Sequence, residues 1–210
     1  MISQNARPYD LLKRVLDVLS AILLLIITSP LMLVSAMLVL NDLGRPVLFR
    51  QARAGQGGHR FTLLKFRSMR PATESEGSDS DADRLTAVGR LLRATSLDEL
   101  PSLVNVIRGD MSIVGPRPLL LEYLPRYSAQ QARRHEVRPG ITGLAQVSGR
   151  NNVAWDDRLA ADVEYVDKRS LRLDAWILAR TARTVLVREG ISADGHATSP
   201  EFLGSEGGPA

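Results

Sequence analysis

The sequence predicts an α+β protein, in which an N-terminal re-entrant membrane helix broken at Ser29-Pro30 precedes a compact, mainly helical cytoplasmic domain with a small β element and interfacial amphipathic helices. Three observations predict it. The run Val15 to Leu40 is 26 residues long, carries one charge, Asp17, and is interrupted by Ser29-Pro30. Two short segments on either side of a Gly-rich turn read as strands, and five later segments repeat apolar residues at helical spacing.

As a straight helix the apolar run would reach about 39 Å, more than the roughly 30 Å of a hydrocarbon core. Pro30 removes one N–H and clashes with the carbonyl four residues back, which leaves arms of about 15 and 11 residues, neither long enough to span alone. A kinked span and a re-entrant bend both fit that pattern. Charge separates them, because Lys and Arg near a membrane segment stay on the cytoplasmic side. Arg7, Lys13 and Arg14 precede the run, and Arg45, Arg50, Arg53, Arg60, Lys65, Arg67 and Arg70 follow it. A simple crossing would strand one basic cluster, so a segment that enters and leaves by the cytoplasmic face is expected. Carbonyls freed by Pro30 then need partners inside lipid, and the Thr28 and Ser29 hydroxyls are placed to supply them. A single kinked transmembrane helix is the alternative; a cleaved signal peptide is disfavoured by length and by the lack of a small-residue cleavage site.

Beyond the anchor about 170 residues remain, an ordinary size for one core. The chain contains no Cys, so disulfides and thiolate metal sites are excluded. Of its 27 basic residues three are Lys and the other 24 are Arg. The planar fork of Arg suits phosphate, although a GC-rich genome would give the same bias. A net charge of +4 with 5% aromatic residues argues against nucleic acid as a partner.

In chain order, Pro46 to Gln51 and His59 to Met69 are expected strands joined by Gly55-Gln56-Gly57-Gly58. Thr73 to Asp83 is acidic, Ser-rich and without apolar residues, as in a loop. Helices are expected over Leu85, Val88, Leu91 and Leu92; over Leu100, Leu103, Val104 and Ile107; and after Pro118 through Leu119, Leu120, Tyr123, Leu124 and Tyr127. Two more follow, Asn152 to Lys168 and Leu171 to Arg188. In the last, Leu171, Ala175, Leu178, Ala182, Val185 and Leu186 share one face while Arg172, Trp176, Arg180 and Arg183 share another. That suits a helix in the headgroup layer, or one packed on the core with a solvated basic face. The resulting division is 1–42 for the membrane helix and its flank, 43–190 for the compact domain and 191–210 for a Gly/Ser/Pro-rich tail.

The chemistry centres on Ser96-Leu97-Asp98-Glu99-Leu100-Pro101. Adjacent carboxylates at a helix N-terminus share a small site, and the helix dipole keeps Asp98 anionic and nucleophilic. The competing reading is a capping box in which Ser96 and Glu99 only satisfy backbone donors. Pro101, at the fifth helical position, weakens that reading. Downstream, Gly115-Pro116-Arg117-Pro118 fixes one Arg between two prolines, which suits either a diphosphate or a stiff connector. Arg138-Pro139-Gly140-Ile141-Thr142-Gly143-Leu144-Ala145-Gln146-Val147-Ser148-Gly149-Arg150-Asn151 places three Gly among polar residues, a loop that a ligand could approach closely.

Lys13-Arg14, Thr28-Ser29-Pro30, Gln51-Ala52-Arg53, Lys65-Phe66-Arg67-Ser68-Met69, Arg93 with the Ser96 to Pro101 block, Gly109-Asp110-Met111-Ser112, Gly115 to Pro118 and Arg138 to Val147 together resemble the bacterial sugar transferase family of monotopic phosphoglycosyl transferases. The likeness covers roughly residues 10 to 200 and is nearest to the small bacillosamine-type enzymes. It implies transfer of a sugar 1-phosphate from a UDP-sugar, expected to be UDP-N,N'-diacetylbacillosamine, to polyprenyl (undecaprenyl) phosphate, with UMP released. UDP-N-acetylglucosamine, UDP-N-acetylgalactosamine, UDP-galactose and UDP-glucose stay open as donors. It also implies Mg²⁺, a phospholipid membrane and a location on the cytoplasmic face of the bacterial inner membrane, and leaves room for a homodimer. Asp98 would be the nucleophile and touch the metal, and Glu99 would position the metal or handle a proton. Arg93, Arg117, Arg150 and Lys65 would hold phosphates or nucleotide, with Gln146 and Asn151 as further substrate contacts. The rival of another class is a non-catalytic adaptor seated on anionic lipid by its basic flanks.

Overall fold

The computed structural model describes residues 8–71, 81–148, 154–187 and 201–204. Its first element, α1, runs from Pro8 to Leu43, 36 residues or about 54 Å. The helix does not break at Ser29-Pro30; it continues through Pro30. The reason is local. Ser29 Oγ donates to the Ile26 carbonyl, the one four residues before Pro30, at 2.8 Å, and Thr28 Oγ1 donates to Leu24 at 2.7 Å. Hydroxyls thus replace the backbone donor that proline lacks.

The most apolar stretch of α1 is only 11% buried, so it is not a core helix; it is long and apolar enough to cross a bilayer, and the chain is membrane-associated. Leu11, Leu19, Ile26, Ile27, Leu33 and Met37 are exposed. A narrow stripe is not. Ala21 packs with Phe61, Leu63, Leu103, Val106 and Met111, while Val39 packs with Phe66 and Leu92, so both arms of the helix lie on one domain.

The expected hairpin is present. Strands β1 (Leu48–Ala54) and β2 (Arg60–Phe66) pair antiparallel, with Leu48 opposite Phe66 and Ala54 opposite Arg60. Gly57, at φ 64°, supplies the left-handed residue of the 3₁₀ turn Gln56–Gly58 between them. Of the expected acidic loop, residues 73–80 lie outside the described residues, and its end falls in one helical turn, α2 (Asp81–Arg84). Helix α3 (Ala87–Ala94) is capped by Thr86, whose hydroxyl accepts from Gly89 N at 3.0 Å. A 3₁₀ turn (Leu97–Glu99) leads into α4 (Ser102–Arg108), and Pro101 stands just before α4 rather than inside a longer helix.

α4 buries Leu103, Asn105 and Val106, with Val106 taking the inward place expected of Val104. Asn105 is fully buried and locks α4 to the hairpin: its side chain accepts from Leu64 N at 3.1 Å and donates to Thr62 O at 2.8 Å and to Asp110 at 3.1 Å. Strand β3 (Ser112–Val114) then pairs in parallel with β4 (Gly140–Thr142). Between them the expected helix after Pro118 is a 3₁₀ segment, Leu121–Arg126, because Pro125 inside it cannot continue an α-helical ladder. α5 (Ala129–Ala132), opened by a Ser128/Gln131 capping box, and a second 3₁₀ turn, Arg133–Glu136, complete the crossover.

The glycines of the Arg138–Asn151 stretch serve packing instead of ligand approach. A Cβ on Gly140 would lie 2.1 Å from Gly115 N, and one on Gly143 would lie 2.2 Å from Gly115 O. Their smallness lets the two backbones cross; Gly149 lies outside the described residues.

Three helices close the domain: α6 (Leu144–Ser148), α7 (Trp155–Lys168) and α8 (Leu171–Val187). α8 turns Asp174 and Ile177 inward, with Leu173 and Thr181 half-buried, a face different from both that were expected. Its choice follows from Asp174, which accepts from Tyr9, from Lys13 at 2.6 Å and from Tyr165 at 2.8 Å. Leu171, Trp176 and Leu178 are left exposed. Of the C-terminal tail, Phe202 is buried among Tyr123, Tyr127, Trp155 and Leu159.

Candidate active site

Asp98 sits in the 3₁₀ turn directly after Ser96, which is held in the left-handed region at φ 56°. A non-glycine residue there is strained by about 1–3 kcal/mol, and such strain gathers at functional sites. Ser96 makes no capping bond, and the Glu99 side chain points to cations instead of to the backbone of residue 96. The capping-box reading therefore fails. So does the helix-dipole account, because a three-residue turn carries little dipole.

The electrostatics come from burial and neighbours. Asp98 is 8% exposed, and burial, followed by the adjacent Glu99, pushes its carboxyl up to about 6 against the opposing pull of Lys65, Arg93 and Arg117. Burial also acts to raise Glu99, but Lys65 and Arg117 outweigh it and hold that group down to about 2. Lys65 Nζ lies 2.5 Å from Glu99 Oε1, and both terminal nitrogens of Arg117 lie 3.3 Å from the same oxygen. Among the described residues no hydrogen bond engages the Asp98 carboxylate.

Each of these residues is positioned by an element. Lys65 projects from β2. Arg93, at the end of α3, donates to Ser68 Oγ at 3.1 Å and to Met69 Sδ at 3.0 Å, which fixes it against the chain that leaves β2. α3 comes this close because position 89 is Gly; a Cβ there would lie 1.9 Å from Ser68 O. Arg117 is held from behind by Arg134, whose Nη2 donates to the Arg117 carbonyl and to Asp162, each at 2.7 Å.

A family model described as bacterial sugar transferase matches residues 8–188. The chain belongs to that family. This sugar transferase is 51% identical over 93% of its length to an uncharacterized sugar transferase, EpsL, of Bacillus subtilis, covering 97% of that protein. It is 44% identical over 86% of its length to a UDP-glucose:undecaprenyl-phosphate glucose-1-phosphate transferase of Caulobacter vibrioides, covering 72% of that relative. An undecaprenyl-phosphate galactose phosphotransferase of Salmonella typhimurium is 42% identical over 85% of this chain, which spans 41% of that longer relative. The sugar transferase is accordingly an enzyme, a phosphoglycosyl transferase.

Within this bacterial sugar transferase, Asp98, Glu99, Lys65, Arg93 and Arg117 come together as expected from the sequence. Gln146 is engaged elsewhere: its Nε2 donates to Ile141 O at 2.9 Å, and its Oε1 is buried without a partner among the described residues. Arg150 and Asn151 lie outside the described residues. Three residues were missed. Arg53, quoted only as part of a motif, reaches the Pro118 carbonyl at 3.4 Å beside Arg117. Arg134 and Asp162 form a pair 2% and 5% exposed, with no motif to announce it.

Among the described residues no three acidic or His side chains cluster as a ligand cage. Mg²⁺ is commonly held by one or two carboxylates with the remaining places filled by substrate phosphates and water, and the open Asp98 carboxylate fits that pattern.

Proposed function

We propose that this enzyme transfers a sugar 1-phosphate from a UDP-sugar to undecaprenyl phosphate, with Asp98 as the nucleophile. The observation that carries the reading is the unequal carboxylate pair: Glu99 neutralises Lys65 and Arg117, while Asp98 is buried beside three cations and unengaged. A desolvated anion in a cationic frame is suited to attack on phosphorus.

The steps balance. An Asp98 carboxylate oxygen forms a bond to the sugar-bearing phosphorus, and the bond from that phosphorus to the bridging oxygen breaks, with its electron pair leaving on UMP. A phosphate oxygen of the polyprenyl phosphate then bonds to the same phosphorus and the Asp98 carboxylate departs, giving the polyprenyl diphosphate sugar. Lys65 and Arg117 hold charge on the diphosphate, Arg93 lies close enough to Asp98 to favour its anionic form, and Glu99 keeps the two cations in place. A bound Mg²⁺, touching Asp98, would supply further neutralisation of the diphosphate.

Re-entrant insertion at the cytoplasmic face is part of the proposal. One domain touches α1 near its start, where Arg169 binds Asp10 at 2.9 Å, and near its end, where Val39 meets Phe66 and Leu92. A single domain holding both arms supports entry and exit on the same side. The exposed Leu171, Trp176 and Leu178 of α8 support a second contact, in the headgroup layer.

The test is UMP release by lipid-embedded enzyme with Mg²⁺, undecaprenyl phosphate and a donor panel. It includes the UDP-N,N'-diacetylbacillosamine suggested by overall resemblance, and the UDP-glucose and UDP-galactose suggested by the names of relatives. Release that needs one donor, the lipid and Asp98, and that stops in Asp98→Asn, is expected. Substantial turnover by folded Asp98→Asn would remove Asp98 as nucleophile, and silence with every donor would favour the adaptor reading.

A further inference from the structure

Arg117 stands on a crossover with little regular structure of its own. Between β3 and β4 the chain forms one four-residue α-helix, α5, and otherwise 3₁₀ turns and irregular backbone. Gly140 N bonds the Pro116 carbonyl at 2.9 Å, and Ala54 N bonds the Leu119 carbonyl at 3.1 Å. Between these two points the Arg117 carbonyl is held by a side chain, that of Arg134, at 2.7 Å. Arg134 is itself 2% exposed, pairs with Asp162 at 2.7 Å and has its guanidinium 5.8 Å from the Tyr127 ring centre. A planar cation with a carboxylate at its edge and an aromatic ring beside it is fixed in orientation as well as in place.

The Tyr127 ring is fixed in turn from far along the chain. Phe202 stacks on it, with centroids 5.5 Å and planes 24° apart, and meets Tyr123 at 5.7 Å and Trp155 at 5.3 Å. Phe202 is 2% exposed whereas Leu203 beside it is 81% exposed, so residues 201–204 insert a single side chain. Arg126 ties the same segment down, reaching Glu201 Oε1 at 2.7 Å and the Phe202 carbonyl at 2.5 Å. Tyr123, Arg126 and Tyr127 all belong to the crossover that presents Arg117. We propose that residues 201–204 are a clasp on that crossover and that Phe202 is a positioning residue for Arg117. Its ring sets Tyr127, Tyr127 sets Arg134, and Arg134 sets the backbone from which Arg117 reaches Glu99. The inference rests on the reading of Arg117 as a holder of the donor's diphosphate.

The experiment compares full-length enzyme in lipid nanodiscs with Phe202→Ala, Phe202→Leu and Arg117→Ala. Hydrogen–deuterium exchange reads the crossover, and calorimetric titration with UDP reads the diphosphate site without a sugar or turnover. Faster exchange in the crossover and about three- to tenfold weaker UDP binding are expected for Phe202→Ala, the range of a lost aromatic contact. Phe202→Leu keeps apolar bulk and loses the ring; it should move both quantities the same way, and serves if Phe202→Ala does not fold. In the Arg117→Ala background Phe202→Ala should weaken UDP binding no further. A Phe202 that serves only stability would lower the melting temperature and leave the UDP affinity of folded protein unchanged. That result, where Arg117→Ala does weaken UDP binding, overturns the proposal, and so does unchanged exchange. UDP binding unmoved by Arg117→Ala itself would count against Arg117 as a phosphate holder, and the exchange result then decides the clasp.

Discussion

Glu99 holds the Lys65 ammonium at 2.5 Å, and Asp98 beside it holds no such partner. The two neighbours consequently part: one is ionised at every physiological pH, and the other titrates at about 6. Environment, and not chemical type, assigns their tasks.

The activity should therefore rise with pH through about 6, as Asp98 becomes the anion, and the limb should report kcat/KM. Its stability signature has the opposite sign. A carboxyl raised above its unfolded value is unpenalised when protonated, becomes destabilising between about 4 and 6, and stays so above that window. Asp98→Asn should accordingly be more stable than wild type at pH 8, by about 1–3 kcal/mol, and should match wild type at pH 3.5. Equal melting temperatures at both pH values would contradict the raised Asp98.

Glu99→Gln removes the anion shared by Lys65 and Arg117. Lys65 is 18% exposed, so the lost pairing should destabilise by about 1–2 kcal/mol, discounted from the fully buried case for solvent access. Freed of a like charge, Asp98 should also titrate lower, moving the acidic limb of the activity profile down in pH. An unmoved limb in a folded variant would show that Glu99 does not tune Asp98.

Asn105→Ala should cost about 2–4 kcal/mol, since it strands the Leu64 N–H and the Thr62 carbonyl in the interior. Chemical denaturation in detergent measures it. A loss below about 0.5 kcal/mol would mean that the hairpin and α4 are joined by apolar contact alone.

Ser29→Ala leaves the Ile26 carbonyl without the hydroxyl that stands in for the N–H missing at Pro30, and should lower stability by about 1 kcal/mol. Pro30→Ala returns the backbone donor, so in that background Ser29→Ala should be nearly silent. Additive losses in the double-mutant cycle would disprove the exchange of hydroxyl for backbone N–H.

The anchor, the hairpin and the Asp98 cluster were legible because each depends on local signals: apolarity with a proline, alternation around glycines, and adjacent acids near fixed cations. The proline was misjudged as a break because its remedy, the Ser29 hydroxyl, acts within one turn and leaves the helical path intact. What eluded reading depends on partners far along the chain. α8 turned toward Asp174 because Tyr9 and Lys13, some 160 residues away, supply its donors. Gly140 and Gly143 looked like a ligand cradle since nothing near them in sequence reveals that Gly115 occupies the space. The Arg134–Asp162 pair shows the same difficulty: two ordinary charged residues, 28 apart, become a brace only when α7 is folded over the crossover.

Asp17, the one charge within the apolar run, accepts from Ser112 Oγ at 2.7 Å and from Ile113 N at 3.2 Å, on the strand that continues through Gly115 and Pro116 to Arg117. α1 and the loop that presents Arg117 are therefore tied together at Asp17. Sliding α1 by one helical turn, about 5.4 Å, breaks both attachments. The long helix and the arginine beside the carboxylate pair thus share one mechanical connection, through Asp17.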